Sequence, residues 1–198
     1  MSKNLALFDF DGTITRKDTF LVFIRYCVGS LRYYLGLLLL SPVLVSYKLK
    51  LIPNWRAKEI VFAYFFKGTT GDEFRMKGKA FAETVLPDLI RPSALEEIKS
   101  HLTKTNRVVI VTASSAVWIK CWSDSLGLEI LATEWAEHNG TLTGKLVGKN
   151  CFGDEKRNRV LSQIDLTRYP EISVYGDTSG DKEMLELGTC QFYRTFQD

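Results

Sequence analysis

The sequence predicts an α/β fold, in which a parallel, Rossmann-like sheet is covered by helices and carries an inserted helical cap. Short apolar runs suited to buried strands alternate with helical patterns over much of the chain. The segment 16–91 breaks this alternation, because it is helix-like and rich in aromatic residues. Strands alternating with helices form parallel sheets, in which ligands bind beyond the carboxyl ends of the strands.

The predicted strands are short apolar runs bounded by turn or polar residues. The first covers Leu5 to Phe10 and ends at an Asp-Gly pair. Further strands are predicted at 108–111, 172–175 and 190–193, with a weaker candidate at 129–132. Helices are predicted between them at 93–102, 116–126, 156–164 and 182–187, and a β-hairpin is predicted within 139–153.

The chain divides into two predicted domains, a catalytic core formed by 1–15 and 92–198 and a helical cap formed by 16–91. The cap segment contains 13 basic and 6 acidic residues, a net charge of +7, which leaves −4 for the rest of a chain whose net charge is +3. This asymmetry favours an anionic partner for the cap, although a solvated basic surface explains it equally well.

The composition, with 45% apolar and 25% charged residues, is typical of a folded globular protein and argues against disorder. Lys3 leads directly into the first apolar run, so no signal peptide is expected and the cysteines are predicted to be reduced thiols in a cytoplasmic protein. No CxxC pair is present, and the residues available to a zinc site are scattered. They are Cys27, Cys121, Cys151, Cys190, His101 and His138.

Two pairs of carboxylates follow predicted strands. Asp9 and Asp11 lie two residues apart after the first strand, and Asp177 and Asp181 follow the strand at 172–175. Either pair alone is more often a turn or a helix cap. Together at one sheet edge they predict a site for a hard divalent cation, for which Mg²⁺ is the natural candidate.

With these motifs the chain resembles the haloacid dehalogenase (HAD) superfamily of phosphatases, in the phosphoserine-phosphatase-like subfamily IB, whose helical cap is of type C1. Four segments carry the resemblance in the family's order: Asp-Phe-Asp-Gly-Thr at 9–13, Val-Thr-Ala-Ser at 111–114, Lys156, and Gly-Asp-Thr-Ser-Gly-Asp at 176–181. The resemblance spans nearly the whole chain. It implies Mg²⁺-dependent hydrolysis of a phosphomonoester through an aspartyl-phosphate.

The resemblance also implies a role for each motif residue. Asp9 would be the nucleophile and Asp11 the general acid and base, with water or an alcohol as the final phosphoryl acceptor. Phosphate would be bound by Thr112, Ala113, Ser114 and Lys156. Magnesium would be held by Asp9, by the backbone carbonyl of Asp11 and by Asp177, with Asp181 in support. In isolation Lys156 would be read as an exposed helix lysine, and Ser114 as a helix cap.

Residues 33–47 of the cap carry no charge. The run is shorter than the roughly 20 apolar residues of a transmembrane helix, and Pro42 would interrupt it. A buried cap helix is one interpretation, and contact with an anionic membrane is the other. The second is favoured by basic residues around the run, namely Arg25, Arg32, Lys48, Lys50, Arg56 and Lys58.

Three functions are compatible with these features. The first is a phosphatase for a phospholipid head group such as phosphatidylglycerophosphate, since the chain is similar to phosphatidylglycerophosphatase C-type members in its apolar cap. The second is a soluble small-molecule phosphatase such as phosphoserine phosphatase. The third is a non-catalytic, membrane-associated interaction module. The expected partner is a phosphorylated small molecule or a lipid head group, with peripheral contact to an anionic membrane in the first and third cases; no nucleic-acid partner is expected.

Overall fold

The computed structural model describes residues 4–198, so residues 1–3 of the predicted core segment 1–15 lie outside the described part. The strands are β1 (Leu5–Phe8), β2 (Arg107–Thr112), β3 (Glu129–Ala132), β4 (Glu134–His138), β5 (Thr141–Val147), β6 (Ile172–Gly176) and β7 (Cys190–Tyr193). Five of them form a parallel sheet in the order β3-β2-β1-β6-β7. The predicted α/β fold with a parallel sheet is therefore confirmed.

Between β1 and β2 the chain is helical, with α1 (Thr19–Val28), α2 (Ser30–Leu39), α3 (Ser41–Lys48), α4 (Asn54–Phe66), α5 (Gly71–Thr84), α6 (Leu86–Leu89) and α7 (Pro92–Thr103). The later helices are α8 (Lys120–Ser125), α9 (Asp154–Gln163) and α10 (Lys182–Leu185). Along residues 4–198 no single helix has the length and hydropathy to cross a bilayer, while α1 and α2 meet that test only as a pair bent by 119°.

The helix predicted at 116–126 is broken in two. A 3₁₀ turn covers Ala116–Trp118, and α8 begins only at Lys120. The Ser115 side chain accepts a hydrogen bond from the Val117 amide and starts this tight turn. The indole of Trp118 is fully buried and donates to the Thr19 hydroxyl, at 3.1 Å, which fixes the turn against α1.

The predicted hairpin exists, but its position within 139–153 was wrong. Its strands are β4 and β5, which pair antiparallel with His138 opposite Thr141. The turn between them is Asn139-Gly140, with φ of 50° and 75°. Positive φ at both central residues is typical of the two-residue hairpin turn that Asn-Gly favours, so the first strand lies before Asn139 and not after it.

The largest apolar core joins one face of the sheet to the helices of segment 16–91, the predicted cap. Phe23 of α1 stacks on Trp118 with ring centroids 4.7 Å apart, and Phe62 of α4 stacks on Trp135 of β4 at 3.5 Å. A smaller cluster, which includes Leu5, Val109 and Val160, lies on the other face under α9 and α10. The site described next lies at the carboxyl edge of the sheet, on the side covered by the cap.

Candidate active site

Asp9 is positioned directly after β1, where its amide donates to the Tyr175 carbonyl of the neighbouring strand β6 at 2.9 Å. Its carboxylate is buried and accepts a hydrogen bond from the Lys156 ammonium of α9. The same ammonium donates to the Asp181 carboxylate at 2.6 Å, and Lys156 itself is only 2% exposed. Three sequence-distant motifs therefore meet in one buried ion-pair network.

Burial dominates the electrostatics of this network. It raises the pKa of Asp9 to about 8, against the opposing effect of the Lys156 charge. Burial acts in the same direction on Asp181, but the charge and hydrogen bond of Lys156 outweigh it and lower the pKa of that carboxyl. The two carboxylates in turn raise the pKa of Lys156, although burial opposes them, so this lysine stays charged.

Asp177 completes a cluster of carboxylates. Oxygen atoms of Asp9, Asp177 and Asp181 lie within 4.8 Å of one another. The Asp177 carboxylate accepts a hydrogen bond from the Thr13 hydroxyl at 3.0 Å, and burial raises its pKa. Carboxylate oxygens are the ligands that Mg²⁺ prefers, and concentrated negative charge with a raised pKa fits a site for a divalent cation.

Asp11 is held beside this cluster by hydroxyl and amide donors. Thr19 donates to its carboxylate through the backbone amide at 2.7 Å and through the hydroxyl at 2.6 Å. The Ser114 hydroxyl donates to the second carboxylate oxygen at 2.5 Å. Asp11 thus faces the same space as Asp9, with its orientation fixed by α1 and by the loop after β2.

The loop after β2 brings the predicted phosphate-binding residues to this edge, but not all of them line the cavity. Ala113 and Ser114 line the cavity described below. Thr112 is fully buried, and its hydroxyl accepts a hydrogen bond from the Ser114 amide at 2.9 Å. The Thr112 hydroxyl therefore supports the loop, and its predicted contact with phosphate stays a prediction.

A cavity of about 340 Å³ lies between these groups and the cap. The motif residues Asp9, Asp11, Lys156 and Asp181 form its floor on the core side. Most of its walls come from the cap and are apolar. They include Phe20, Leu21, Leu44, Tyr47, Ala57 and Val61, together with the polar Asp18, Asn54 and Lys58.

Lys58 corrects one interpretation of the sequence, which grouped it with lipid-facing basic residues. Its ammonium donates to the Ala113 carbonyl at 2.6 Å and lies 5.1 Å from the centre of the Phe20 ring. It therefore points into the cavity, where burial lowers its pKa against the charges of Asp18 and Asp11. Burial raises the pKa of Asp18 in the same cavity.

The two histidines lie away from this site. His101 is buried under the sheet and hydrogen-bonded to the Tyr175 hydroxyl at 2.9 Å, while His138 is exposed on the hairpin. The contacts of Thr19, Asp18 and Lys58 had no sequence signal, because isolated residues of these types in a cap helix are normally solvated or packed.

Comparison with known proteins identifies the family that shares these motifs. A family model described as haloacid dehalogenase-like hydrolase matches residues 6–186. A curated relative, the protein CicA of Caulobacter vibrioides, is 34% identical, and the match covers 98% of this chain and 86% of the relative. The match therefore includes the cap as well as the core.

Solved structures share the fold. A protein of unknown function from Bordetella pertussis Tohama I superposes with a TM-score of 0.82 at 20% identity, covering 96% of this chain and 88% of the other. A phospho-aspartyl intermediate analogue of phosphoserine phosphatase superposes with a TM-score of 0.63 at 18% identity, covering 95% of this chain and 84% of the other. At these identities the likeness establishes the architecture.

Proposed function

This chain belongs to the haloacid dehalogenase-like hydrolase family, and on that premise we propose that it is a Mg²⁺-dependent phosphomonoesterase acting through an aspartyl-phosphate on Asp9. The observation that carries the proposal is the buried network of Asp9, Lys156 and Asp181 at the floor of a cavity that also contains Asp11. A nucleophile, a neutralising cation and a second carboxylate are the groups that this reaction needs.

In the first half-reaction an oxygen of the Asp9 carboxylate attacks phosphorus, and the bond from phosphorus to the ester oxygen breaks. Asp11 gives its proton to the departing oxygen, which leaves as an alcohol. In the second, Asp11 takes a proton from a water molecule as that water attacks the phosphoaspartate, and Asp9 and inorganic phosphate are released. Thr19 and Ser114 act as positioning residues that aim Asp11 at the reacting oxygen.

The carboxylates of Asp9 and Asp177 and the backbone carbonyl of Asp11 would hold Mg²⁺, with Asp181 in support. When bound, the ion supplies positive charge to the phosphoryl oxygens and favours the ionised form of Asp9. Lys156 adds a positive charge beside Asp9, while Thr112, Ala113 and Ser114 would offer polar groups to the phosphate.

For the substrate we propose a phospholipid head group, of which phosphatidylglycerophosphate is the example. We also propose that the chain is a member of subfamily IB and is similar to phosphatidylglycerophosphatase C-type members. Support comes from the cavity wall, where Phe20, Leu44 and Tyr47 offer apolar surface to a leaving group that carries acyl chains.

A soluble substrate such as phosphoserine is the second candidate, and a specific observation favours it. Lys58 and Asp18 both line the cavity and carry opposite formal charges. Such a pair suits a zwitterionic leaving group, with Lys58 facing its carboxylate and Asp18 its ammonium.

The first experiment measures Mg²⁺-dependent phosphate release from phosphatidylglycerophosphate in mixed micelles, beside phosphoserine and other soluble esters. Asp9→Asn removes the attacking oxygen, so we expect turnover to fall by roughly 10⁴-fold or more while the protein stays folded. Removing the metal with a chelator should abolish turnover reversibly. Preference for the lipid supports the head-group assignment, and preference for phosphoserine supports the second candidate.

Asp72→Asn is the matched control, because it replaces a carboxylate whose side chain is 90% exposed on α5, and its turnover should equal that of the wild type. Metal-dependent turnover retained in Asp9→Asn would reject the nucleophile assignment. A folded wild-type protein with no turnover on any ester would favour the third function, a non-catalytic interaction module.

A further inference from the structure

Helix α2 is apolar on two opposite faces. One face packs inward through Tyr33, Gly36 and Leu40, which follow a helical spacing. The opposite face carries leucines that are between 51% and 76% exposed, namely Leu31, Leu35, Leu38 and Leu39. A helix at the surface of a globular protein normally turns polar residues outward, so the outer face needs an apolar environment of its own.

The exposed apolar surface continues beyond α2. Helix α3, the segment after it and the first turn of α4 add Val45, Leu49, Leu51 and Trp55, each at least 48% exposed. We call the set of Leu31, Leu35, Leu38, Leu39, Val45, Leu49, Leu51 and Trp55 the leucine face. Isolated exposed leucines are common, but a run of this size over 25 residues of chain is not.

The charges of the segment that carries the leucine face have a single sign. From Thr19 to Lys58 the sequence contains six basic residues and no acidic one. Lys58 points into the cavity, and the other five are exposed at the surface of the cap. They are Arg25, Arg32, Lys48, Lys50 and Arg56. Arg56 is paired with Glu59, just after this segment, at 3.4 Å, and the other four have no acidic partner within the segment. An apolar face whose own segment supplies cations and no carboxylate complements a surface that is apolar inside and anionic outside.

From this complementarity we propose that the leucine face docks on an anionic phospholipid bilayer, with its leucines in the acyl region and the five cations at the phosphates. A second copy of the chain fits less well, because two such faces in contact would bring their like-charged borders together with no acidic residue of the segment to pair with them.

Docking in this way would place the active-site cavity at the lipid surface. Helix α3 contributes Leu44 and Tyr47 to the cavity wall, while Val45 and Leu49 of the same region belong to the leucine face. One short helix is therefore shared by the cavity and the docking face. The idea that a lipid head group enters the cavity by this route rests on the proposed function. The docking of the leucine face on a bilayer does not depend on it.

The test is flotation of the protein with vesicles of phosphatidylglycerol mixed with phosphatidylcholine, compared with vesicles of phosphatidylcholine alone. We expect binding to the anionic vesicles that weakens as salt is added. The triple variant Leu35→Ser/Leu38→Ser/Leu39→Ser should bind about tenfold more weakly or worse, because three exposed side chains lose their apolar surface. Circular dichroism checks that the variant keeps its helices.

Met76→Ser/Leu161→Ser is the matched control, since both side chains are more than half exposed but lie outside the leucine face, and its binding should match the wild type. Asp9→Asn should also bind fully, which separates docking from catalysis. Equal binding by the triple variant and the wild type would overturn the proposal. The proposal would also be overturned if the wild-type protein did not bind anionic vesicles and instead formed a dimer that is lost in the triple variant.

Discussion

Around Lys156, three carboxylates are clustered with a single ammonium group. Asp9 and Asp181 both contact Lys156, and Asp177 lies within reach of the same cluster, so the formal charge of these four residues is −2. Burial raises the pKa of both Asp9 and Asp177, which reflects the cost of negative charge that one lysine does not balance. A divalent cation would match this deficit in charge.

Lys58 provides a prediction about the leaving group. Replacing it in Lys58→Met keeps the length of the side chain and removes its charge from the cavity. We expect KM for an anionic leaving group to rise roughly tenfold to hundredfold, the effect of losing one charged hydrogen bond, while kcat changes little. Steady-state kinetics with phosphoserine and with an uncharged alkyl phosphate would measure the difference.

Lys58→Arg should restore most of the affinity, because it keeps a cation in the cavity. Lys120→Met, which removes an exposed lysine paired with Asp124, should leave KM unchanged. A rise in KM of the same size for the uncharged leaving group would show that Lys58 acts through packing and not through charge.

The sequence located the motif residues better than their neighbours. Asp9, Lys156 and Asp181 stand out because they lie in short motifs with a fixed order. Lys58 lies in no such motif, and its position in a helix does not show whether its side chain enters a cavity or faces a membrane. The packing of α4 against the loop after β2 sets the direction of the Lys58 side chain, through a contact between residues 55 positions apart.

At the scale of elements, the close approach of α2 to α4 depends on Gly36. A Cβ atom at this position would overlap the rings of Phe65 and Tyr64. The absence of a side chain lets the inner face of α2 lie against α4. This packing places the leucine face on the outside of the helix. The position of the proposed docking surface is thus fixed by one residue on the opposite side of the helix.

Gly36→Ala tests this contact. The added methyl group improves helix propensity, but overpacking against Phe65 should outweigh the gain and lower the free energy of unfolding by about 1–3 kcal/mol. Urea denaturation followed by circular dichroism measures the change. In the same helix, Leu38→Ala removes an exposed side chain and should change the free energy of unfolding by less than about 0.5 kcal/mol. Equal effects of the two substitutions would contradict the packing argument.

The boundaries of helices and strands were predicted correctly where neighbouring residues in the sequence determine them. The strands of the sheet follow from buried apolar runs, and the bounds of α7 differ from the prediction by a single residue at each end. The hairpin was misplaced because the predicted range 139–153 begins at its Asn-Gly turn and so leaves out β4. The break before α8 depends on the burial of Trp118 against α1, which is a tertiary contact and leaves no periodic signal.

For the whole molecule, the hairpin connects the core to the cap. It belongs to the chain after β3, yet it packs on α4, where Trp135 stacks on Phe62 and the Glu59 carboxylate accepts hydrogen bonds from the Leu146 amide and the Lys145 ammonium, each at 3.1 Å. We propose that 16–91 forms the cap and 1–15 with 92–198 the core, with the hairpin as one of their connections. The alternation of strands and helices predicts the sheet but not this contact, because its partners are distant in sequence.

Trp135→Ala tests the hairpin as a connection between cap and core. Loss of a buried indole should lower the free energy of unfolding by about 3–5 kcal/mol, and hydrogen exchange should quicken most in α4, because the ring that covers Phe62 is gone. Trp55→Ala, which removes a half-exposed indole from the same helix, should leave exchange in α4 nearly unchanged. If Trp135→Ala instead quickened exchange evenly across the sheet and the cap, the two would unfold as one unit, and the hairpin would be an ordinary part of a single core.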